Sequence, residues 1–239
     1  MYINKRVLIK LSGEALAGGK GFGMDDEAIN NIAKRLKQVH DLGVQIGIVV
    51  GGGNFWRGRS QGDMDRTVSD NIGMLGTVMN ALRVQSALEE IGLETRVQTA
   101  IDMHEVAEPF IVRKAIRHLE KNRIVIFAAG TGLPYFSTDT TAALRSLEIN
   151  ADFILIGKTG TDAIYDKDPN KFDDAKKFDY LSYRDIIEKQ LAVMDASAIS
   201  LCEENNMPLV VFGIDDPENL VRVVKGEKIG TFVGGQNDR

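Results

Sequence analysis

The chain has few cysteines, prolines and histidines: one, five and three among 239 residues. A single thiol, Cys202, excludes an intramolecular disulfide and a multi-cysteine zinc site, and it fits a reducing compartment. No stretch approaches the ~18 consecutive apolar residues of a membrane helix. The short apolar run that follows Arg6 and ends at Lys10 is too brief for a secretory signal. We therefore expect a cytoplasmic protein without a membrane partner.

Excess positive charge is also absent. Lys and Arg number 29 against 34 Asp and Glu, which gives a net charge of -5 and a sequence pI near 5.3. This balance lacks the basic footprint of a duplex-binding protein and argues against a nucleic-acid partner. Apolar residues at 44% and charged residues at 26% are typical of a globular chain. The length allows one large domain or two small lobes.

Glycine is abundant, at 24 residues, and it clusters after short runs of β-branched and aliphatic residues. These runs predict buried strands. They are Arg6 to Leu11, Val44 to Val50, Thr95 to Gln98, Arg123 to Ala129, Asp152 to Ile156 and Leu209 to Phe212.

Helical patterns lie between these strands. A first helix is capped by Asp25 or Asp26 and stopped by Gly43. A second runs from Ser69 to Ile91 and is expected to bury Ile72, Leu75, Met79 and Leu82 on one face. Further helices are predicted at Val112 to Lys121, Thr138 to Ile149, Tyr183 to Gln190 and Ala196 to Asn205. Alternating strands and helices predict an α/β fold whose mainly parallel sheet is covered on both faces.

Ligands of such sheets bind beyond the carboxyl ends of the strands. After the first strand, Lys10 and the Ser12-Gly13 pair could hold a phosphate, although a strand lysine could also simply reach solvent. After the second strand, three consecutive glycines from Gly51 let a ligand touch the backbone, and Arg57 can pair with phosphate oxygens.

A third segment, from Gly130 to Asp139, joins glycines, hydroxyls and an aromatic ring before a helix. This composition suits a phosphorylated, ring-bearing ligand. Asp139 is either part of the site or only a first-turn acid that the helix dipole favours. The polar stretch from Lys158 to Asp179 is either a solvated loop or a cover over a ligand.

Several known motifs fail. Gly157-Lys158-Thr159 resembles the end of a P-loop, but the required earlier glycine is replaced by Asp152. No glycine cluster completes the dinucleotide-binding pattern, and no nucleophile elbow occurs. The three histidines share no metal-ligand spacing, and no dedicated protein ligand set for a metal is visible.

Four segments in order resemble the bacterial UMP kinases (uridylate kinases) of the amino acid kinase family. They are Lys10 to Leu16, Gly51 to Gly58, Gly73 to Asn80, and Ser137 to Asp139 after Pro134-Tyr135-Phe136. The resemblance covers essentially the whole chain. It implies a three-layer αβα sandwich in one domain over 1–239, with an N-terminal lobe of about 1–150 for the acceptor and phosphates and a C-terminal lobe of about 151–239 for ATP.

The resemblance also implies the activity: phosphorylation of UMP to UDP by Mg-ATP in pyrimidine nucleotide biosynthesis, by a hexamer that GTP activates and UTP inhibits. It implies catalytic roles for Lys10, Arg57 and Asp139. The implied ATP contacts are Lys10, Leu11, Ser12, Gly13, Gly53, Arg57, Thr159, Tyr165 and Asp168. The implied UMP contacts are Gly52, Asp70, Thr131, Gly132, Leu133, Pro134, Tyr135, Phe136, Ser137 and Thr138. The implied GTP region is Gly18, Gly19, Lys20, Gly21, Phe22 and Gly23.

Two positions depart from the family pattern. Leu133 stands where Asn or Ser is usual, and Ala163 follows Asp162 where glycine is usual. Neither change removes a charged group from the implied chemistry. Two rival functions stay open at this stage: a carbamate or amino acid kinase of the same fold, whose acceptor lacks a base and ribose, and a nucleotide sensor or DNA-associated regulator that uses the pocket only for binding.

Overall fold

Strands and helices alternate along the chain in the order that the hydrophobic pattern predicts. The structure, a computed structural model, describes residues 5–57, 64–191 and 193–235. Its strands are β1 (Arg6–Leu11), β2 (Gln45–Val50), β3 (Thr95–Thr99), β4 (Glu108–Pro109), β5 (Ile124–Ala128), β6 (Phe153–Lys158), β7 (Ile164–Tyr165), β8 (Lys177–Phe178), β9 (Tyr180–Ser182), β10 (Leu209–Gly213) and β11 (Thr231–Gly234). Its helices are α1 (Gly13–Ala17), α2 (Asp26–Asp41), α3 (Arg66–Glu90), α4 (Val112–Glu120), α5 (Thr138–Glu148), α6 (Tyr183–Glu188), α7 (Ala196–Glu204) and α8 (Asn219–Val224).

Nine of these strands form one sheet in the order β4-β3-β5-β2-β1-β6-β10-β11-β9. Only the β10–β11 pair of this sheet is antiparallel. The prediction of a mainly parallel sheet is therefore confirmed. Strands β7 and β8 pair as a separate antiparallel hairpin inside the polar stretch after Lys158.

Helices cover both faces of the sheet. This is required because successive side chains of β1 point to opposite faces and are apolar on both. Val7, Ile9 and Leu11 point to a core that also contains buried side chains of α2, α3 and α8. Leu8 points to a second core, which contains buried side chains of α4, α5, α6 and α7. The predicted αβα sandwich is confirmed, because each face of the central sheet is covered by helices. Successive side chains of a central strand point to opposite faces, so both faces must be buried.

Helix α2 begins where its N-cap side chain supplies a hydrogen-bond acceptor. Asp25 accepts the Ala28 N–H at 3.0 Å, and this bond holds the pKa of the Asp25 carboxyl below its ordinary value. Asp26 is the first residue of the helix and is not the cap.

The prediction for the buried face of α3 is wrong for two of its four residues, whereas Ile72 and Leu82 are partly buried. Leu75 and Met79 are 51% and 45% exposed. The buried face of the helix instead carries Met74, Thr77, Val78, Asn80, Ala81, Val84 and Leu88. The helix has apolar side chains on more than one side, and contact with the loop after β2 selects a face that includes small and polar residues. Hydrophobic periodicity alone cannot detect such a choice.

Seven short elements were not predicted: α1, α8, β4, β7, β8, β9 and β11. Each has between two and six residues. Segments of this length show too few periods for a hydrophobic pattern to emerge, and their conformation depends on neighbours in the folded chain.

Candidate active site

The carboxyl ends of β1, β2, β5 and β6 meet at one edge of the sheet because these strands are parallel and adjacent. The register places Lys10 of β1 beside Val49 of β2 on one side and Ile156 of β6 on the other. The segments that the sequence singled out, after the first, second and fourth predicted strands, therefore lie together, as expected for the ligand-binding edge of an α/β sheet.

Lys10 and Asp139 form an ion pair across this edge. The Lys10 Nζ lies 2.9 Å from Asp139 Oδ1, and the two side chains are 18% and 23% exposed. Asp139 stands in the first turn of α5, whose N-cap is Ser137. The structure thus brings two of the predicted catalytic residues into direct contact, and the reading of Asp139 as merely a first-turn acid does not account for this partner.

A second lysine, Lys158, lies close to this pair at the end of β6. Burial and the positive charge of Lys10 lower the pKa of the Lys158 ammonium, while Asp139 acts in the opposite direction. In the sequence, Lys158 belongs to a failed P-loop match and begins the polar stretch, and neither pattern predicts a position beside Lys10. Like Lys10, Lys158 is a lysine at the carboxyl end of a buried strand, and this position could have marked it as a candidate site residue. Only the strand order, in which β1 and β6 are adjacent, shows that the two lysines are neighbours.

The loop Gly51–Asn54, which we call the glycine loop, is held close to β1 and α3. A Cβ at Gly13 would lie 2.4 Å from Asn54 Oδ1, and one at Gly52 would lie 2.5 Å from the Gly73 carbonyl oxygen. These two glycines are therefore required by packing between protein segments. A Cβ at Gly53 would meet only Arg57, at 4.0 Å, so this position remains open toward a ligand.

Arg57 follows the glycine loop and its guanidinium pairs with Glu14 of α1. Both side chains are more than half exposed. The predicted phosphate-binding arginine is therefore near Ser12 and Gly13, as the resemblance implies, but it has a carboxylate partner that a phosphate would have to displace. The Ser12 hydroxyl caps α1 by accepting the Ala15 N–H at 3.2 Å.

The predicted GTP region forms an exposed turn between α1 and α2. Its only cation, Lys20, lies 3.3 Å from the Asp25 carboxylate and donates to the Met24 carbonyl. Phe22 is 70% exposed and meets the Phe55 ring edge-on at 6.0 Å between centroids.

The acceptor loop, residues 129–137, contains several residues in the left-handed region. Ala129 has φ 60°, Gly130 58°, Gly132 82° and Tyr135 73°. The Asp70 carboxylate accepts the Tyr135 N–H at 2.8 Å and so supports one strained position. Arg66 pairs with Asp70 at 3.4 Å and stacks over the Tyr135 ring at 4.9 Å from its centroid.

A cavity of about 640 Å³ opens beside the acceptor loop and reaches Asp139. Asp70, Tyr135, Phe136 and Ser137 line it on one side. Met194, Asp195 and Ser197 line it on the other. Leu133 is 59% exposed and is not among the lining residues. The volume is within the range of small-molecule sites.

Asp195 is a site residue that the sequence reasoning missed. It caps α7 through the Ala198 N–H at 2.9 Å, and it also accepts hydrogen bonds from Ser137 and from Thr140 at 3.1 Å. Burial raises the pKa of the Asp195 carboxyl, but the hydrogen bonds outweigh burial and hold it below its ordinary value. Only an N-cap pattern marked this residue in the sequence, and such patterns occur at many helices.

A second cavity, of about 430 Å³, lies at the ends of β6 and β10. Tyr165, Asp162, Asn170 and Asp215 are among its lining residues. Of the predicted ATP contacts, Tyr165 lines this cavity and donates its hydroxyl to Asp162 at 2.6 Å. Asp168 is adjacent through its bond to the Asn170 N–H at 3.0 Å, and Thr159 is not among the lining residues.

Within 5–57, 64–191 and 193–235, no group of three or more His, Cys, Asp or Glu side chains is arranged to hold a metal ion. Among the helices of the same ranges, none combines the length and the apolar character needed to cross a bilayer.

Comparison with known proteins agrees with this fold and gives the family of the chain. The sequence matches the model of the Amino acid kinase family over residues 5–213. The chain therefore belongs to the amino acid kinase family. A uridylate kinase of Limosilactobacillus reuteri (strain DSM 20016) is 62% identical over 233 residues, which cover 97% of each chain.

Solved structures give the same result. The crystal structure of a UMP kinase from Bacillus anthracis superposes with a TM-score of 0.95 at 39% identity and covers 98% of this chain and 97% of its own. A UMP kinase from Ureaplasma parvum superposes with a TM-score of 0.92 at 36% identity, covering 98% and 100%. The resemblance to bacterial UMP kinases that the four segments predicted is confirmed.

We predict that Asp195→Asn removes part of the acid sensitivity of folding. Because the folded-state pKa of Asp195 is below its unfolded value, its contribution to stability is complete above about pH 4 and is lost as the pH falls through the folded value. The variant should be about 1–2 kcal/mol less stable at neutral pH, since charged acceptors make strong hydrogen bonds, and should lose less on acidification. Urea unfolding between pH 6 and 3 measures both effects. Asp173→Asn, at an exposed carboxylate, is the control; parallel pH curves for wild type and Asp195→Asn would contradict the assignment.

Proposed function

We propose that this protein is a UMP kinase that transfers the γ-phosphoryl group of Mg-ATP to UMP and releases UDP and ADP. One observation carries the proposal: Lys10, Asp139 and Lys158 converge at the sheet edge where the glycine loop, the acceptor loop and the end of β6 meet. The names of the similar uridylate and UMP kinases support the choice of UMP as the acceptor.

The donor nucleotide would bind with its phosphates between β1 and the glycine loop. We assign its contacts to Lys10, Leu11, Ser12, Gly13, Gly53 and Arg57, with Thr159, Tyr165 and Asp168 on the nucleoside side. The open position at Gly53 supports a close approach to the backbone. The cavity beside Tyr165 supports a nucleoside site at the end of β6. In the two-lobe organisation of this proposal, the contacts to the ATP phosphates come from about 1–150 and those to its nucleoside from about 151–239.

The acceptor would occupy the larger cavity. We assign Gly52, Asp70 and the segment Thr131 to Thr138 to UMP, with the Asp70 carboxylate accepting a hydrogen bond from a ribose hydroxyl. Asp70 lines the cavity and lies on the same wall as Tyr135 and Phe136, whose rings suit a flat base. A carboxylate for ribose and aromatic rings for a base favour a nucleotide over the small acceptors of carbamate and amino acid kinases.

The chemistry depends on charge placement. Phosphoryl transfer spreads negative charge over the equatorial oxygens of a loose transition state, so cations aimed at those oxygens lower the barrier. Lys10 is held by Asp139, and Lys158 adds a second ammonium beside it. A UMP phosphate oxygen is already ionised near pH 7, so no strong general base is required. Asp139 therefore orients Lys10.

The site also fits magnesium. Mg²⁺ prefers oxygen ligands and commonly binds one or two carboxylates together with substrate phosphates. Asp139 supplies a carboxylate at the junction of the two nucleotide sites. When bound, the cation neutralises phosphate charge.

Regulation by GTP and UTP, the cytoplasmic location and the role in pyrimidine nucleotide biosynthesis belong to the same proposal. They are supported by the family resemblance. The exposure of the turn Gly18–Gly23 supports its assignment as the GTP region. Its lysine, Lys20, is however already paired with Asp25. A bound phosphate would have to compete with that carboxylate.

Assembly into hexamers, also part of the proposal, is supported by the outward face of α3. Val68, Leu75 and Met79 are 49%, 51% and 45% exposed, and the partly buried Ile72 lies between them at helical spacing. An exposed apolar stripe of this length is typical of an interface between chains. Two copies could pair through α3, and a hexamer would need a second kind of contact.

The direct test is ADP release from Mg-ATP with UMP, CMP, dTMP or AMP as acceptor, each with and without GTP. We expect turnover with UMP, raised by GTP. The exposed Leu133, where the family has a polar residue, makes CMP the most informative competitor. Nucleotide binding without turnover on any acceptor would overturn the kinase proposal and favour a nucleotide sensor.

We predict that Lys10→Ala lowers kcat by about 10²–10³-fold, because it removes a cation aimed at the transferred group. Affinity for UMP, measured by equilibrium titration, should change little. The matched control is Lys37→Ala, which removes an exposed lysine paired with Asp41 on α2. Near-wild-type kcat in Lys10→Ala would exclude the assigned role.

We predict that Leu75→Glu breaks the assembly into smaller species, because it places a charge in the proposed α3 interface. Light scattering after size-exclusion chromatography gives the mass. Ile187→Glu, at an apolar residue of α6 that is 44% exposed, is the control and should keep the wild-type mass. An unchanged mass for Leu75→Glu would remove α3 from the interface.

A further inference from the structure

The Gly73 to Asn80 segment has no role in the site described so far, although it is one of the four motifs. It forms the middle of α3 and contacts both loops of the site. Two of its polar side chains, Thr77 and Asn80, are almost completely buried, with 6% and 0% exposure. Buried polar groups are costly unless hydrogen-bonded, so their partners show what they are for.

Asn80 holds the glycine loop. Its Nδ2 donates to the Gly51 carbonyl at 2.7 Å and to Asn54 Oδ1 at 2.7 Å, while Asn54 Nδ2 donates back to Asn80 Oδ1 at 3.0 Å. Asn54 Nδ2 also donates to the Gly23 carbonyl. The carbonyl partners fix the orientation of both amides, since only an NH₂ can donate to them. The first and last residues of the glycine loop are thus tied to α3.

Thr77 holds the start of the acceptor loop. Its hydroxyl donates to the Met74 carbonyl at 2.7 Å, so its oxygen is the acceptor for the buried Ala129 N–H at 2.8 Å. Ala129 has φ 60°, a left-handed conformation that is sterically strained for any residue with a Cβ. The bond to Thr77 satisfies an amide that would otherwise be buried without a partner in this strained turn.

Helix α3 reaches both loops through neighbouring side chains. Thr77 and Asn80 are three residues apart, so they lie on one face of the helix. The loops that they hold follow β2 and β5, which are paired neighbours in the sheet. One helix can therefore anchor both loops at once.

We infer that Thr77 and Asn80 are positioning residues for phosphoryl transfer: Asn80 fixes the donor-phosphate loop, Thr77 fixes the acceptor loop, and α3 sets the distance between the two nucleotides. The inference rests on the proposed function for the assignment of the two loops. It predicts opposite selectivity for the two residues, which a general loss of stability would not produce.

The main test compares Thr77→Val with Thr77→Ser. Valine keeps the shape of the side chain and loses the hydroxyl, whereas serine keeps the hydroxyl and loses the methyl group. We expect Thr77→Val to raise the KM for UMP about tenfold, with the KM for ATP within twofold of wild type, and Thr77→Ser to stay close to wild type. Equal impairment by both variants would mean that only packing matters, and would overturn the inference.

A second substitution tests whether Thr77 acts on UMP binding through the backbone of Ala129. Glycine adopts positive φ without steric cost, so Ala129→Gly in the Thr77→Val background should recover part of the lost UMP affinity, while the amide left without its acceptor accounts for the rest. Asn80→Ala should show the reverse pattern and raise the KM for ATP more than that for UMP. Ser146→Ala is the matched control, because it removes a buried hydroxyl whose bond, to the Ala143 carbonyl, stays within α5. Equal changes in both KM values for Thr77→Val and Asn80→Ala would contradict the assigned roles.

Hydrogen exchange separates this inference from the proposed function, because it needs no turnover. The Ala129 amide proton should exchange about tenfold faster in folded Thr77→Val than in wild type, and at the wild-type rate in Thr77→Ser. Urea unfolding checks that each variant is folded. If wild type phosphorylates no UMP, the proposed function fails, but the exchange rate still shows whether Thr77 holds the Ala129 amide. Unchanged exchange at Ala129 in Thr77→Val overturns the inference in either case.

Discussion

Parallel pairing of β1 with its two neighbours is the constraint on which the site depends. Lys10 stands between Val49 of β2 and Ile156 of β6, so the segments after all three strands emerge at the same edge. This arrangement also brings two lysine side chains close enough for one to lower the pKa of the other. Asp139 offsets part of that repulsion. A bound phosphate group would offset more of that repulsion, in agreement with the proposed phosphate site.

Helix α3 holds two of the loops at this edge in place. Its inward face carries Thr77 and Asn80, and each of these polar side chains has a hydrogen-bond partner in a loop. Its outward face carries the exposed Leu75 and Met79. The helix therefore lies between an exposed apolar surface and the two loops that we propose for the nucleotides. A shift of α3 would move both loops together.

The main strands, the glycine loop and the acceptor loop could be predicted because each depends on local residue order. Lys10 and Asp139 were predicted from the resemblance, and the structure places them in contact. Lys158 and Asp195 were missed because each acquires its partners from distant parts of the chain. The buried face of α3 was predicted wrongly for a related reason: small and polar residues that fit the glycine loop outweigh the more apolar stripe.

The sequence by itself determined the alternation of strands and helices, the composition of the loops and the family to which the chain belongs. These features follow from side-chain periodicity, turn chemistry and motif order, which are local properties. The tertiary structure decided which charges are neighbours, which face of α3 is buried and why Gly13 and Gly52 must lack side chains. Those outcomes depend on strand order and close packing between residues far apart in the chain, because burial and charge are properties of the folded neighbourhood.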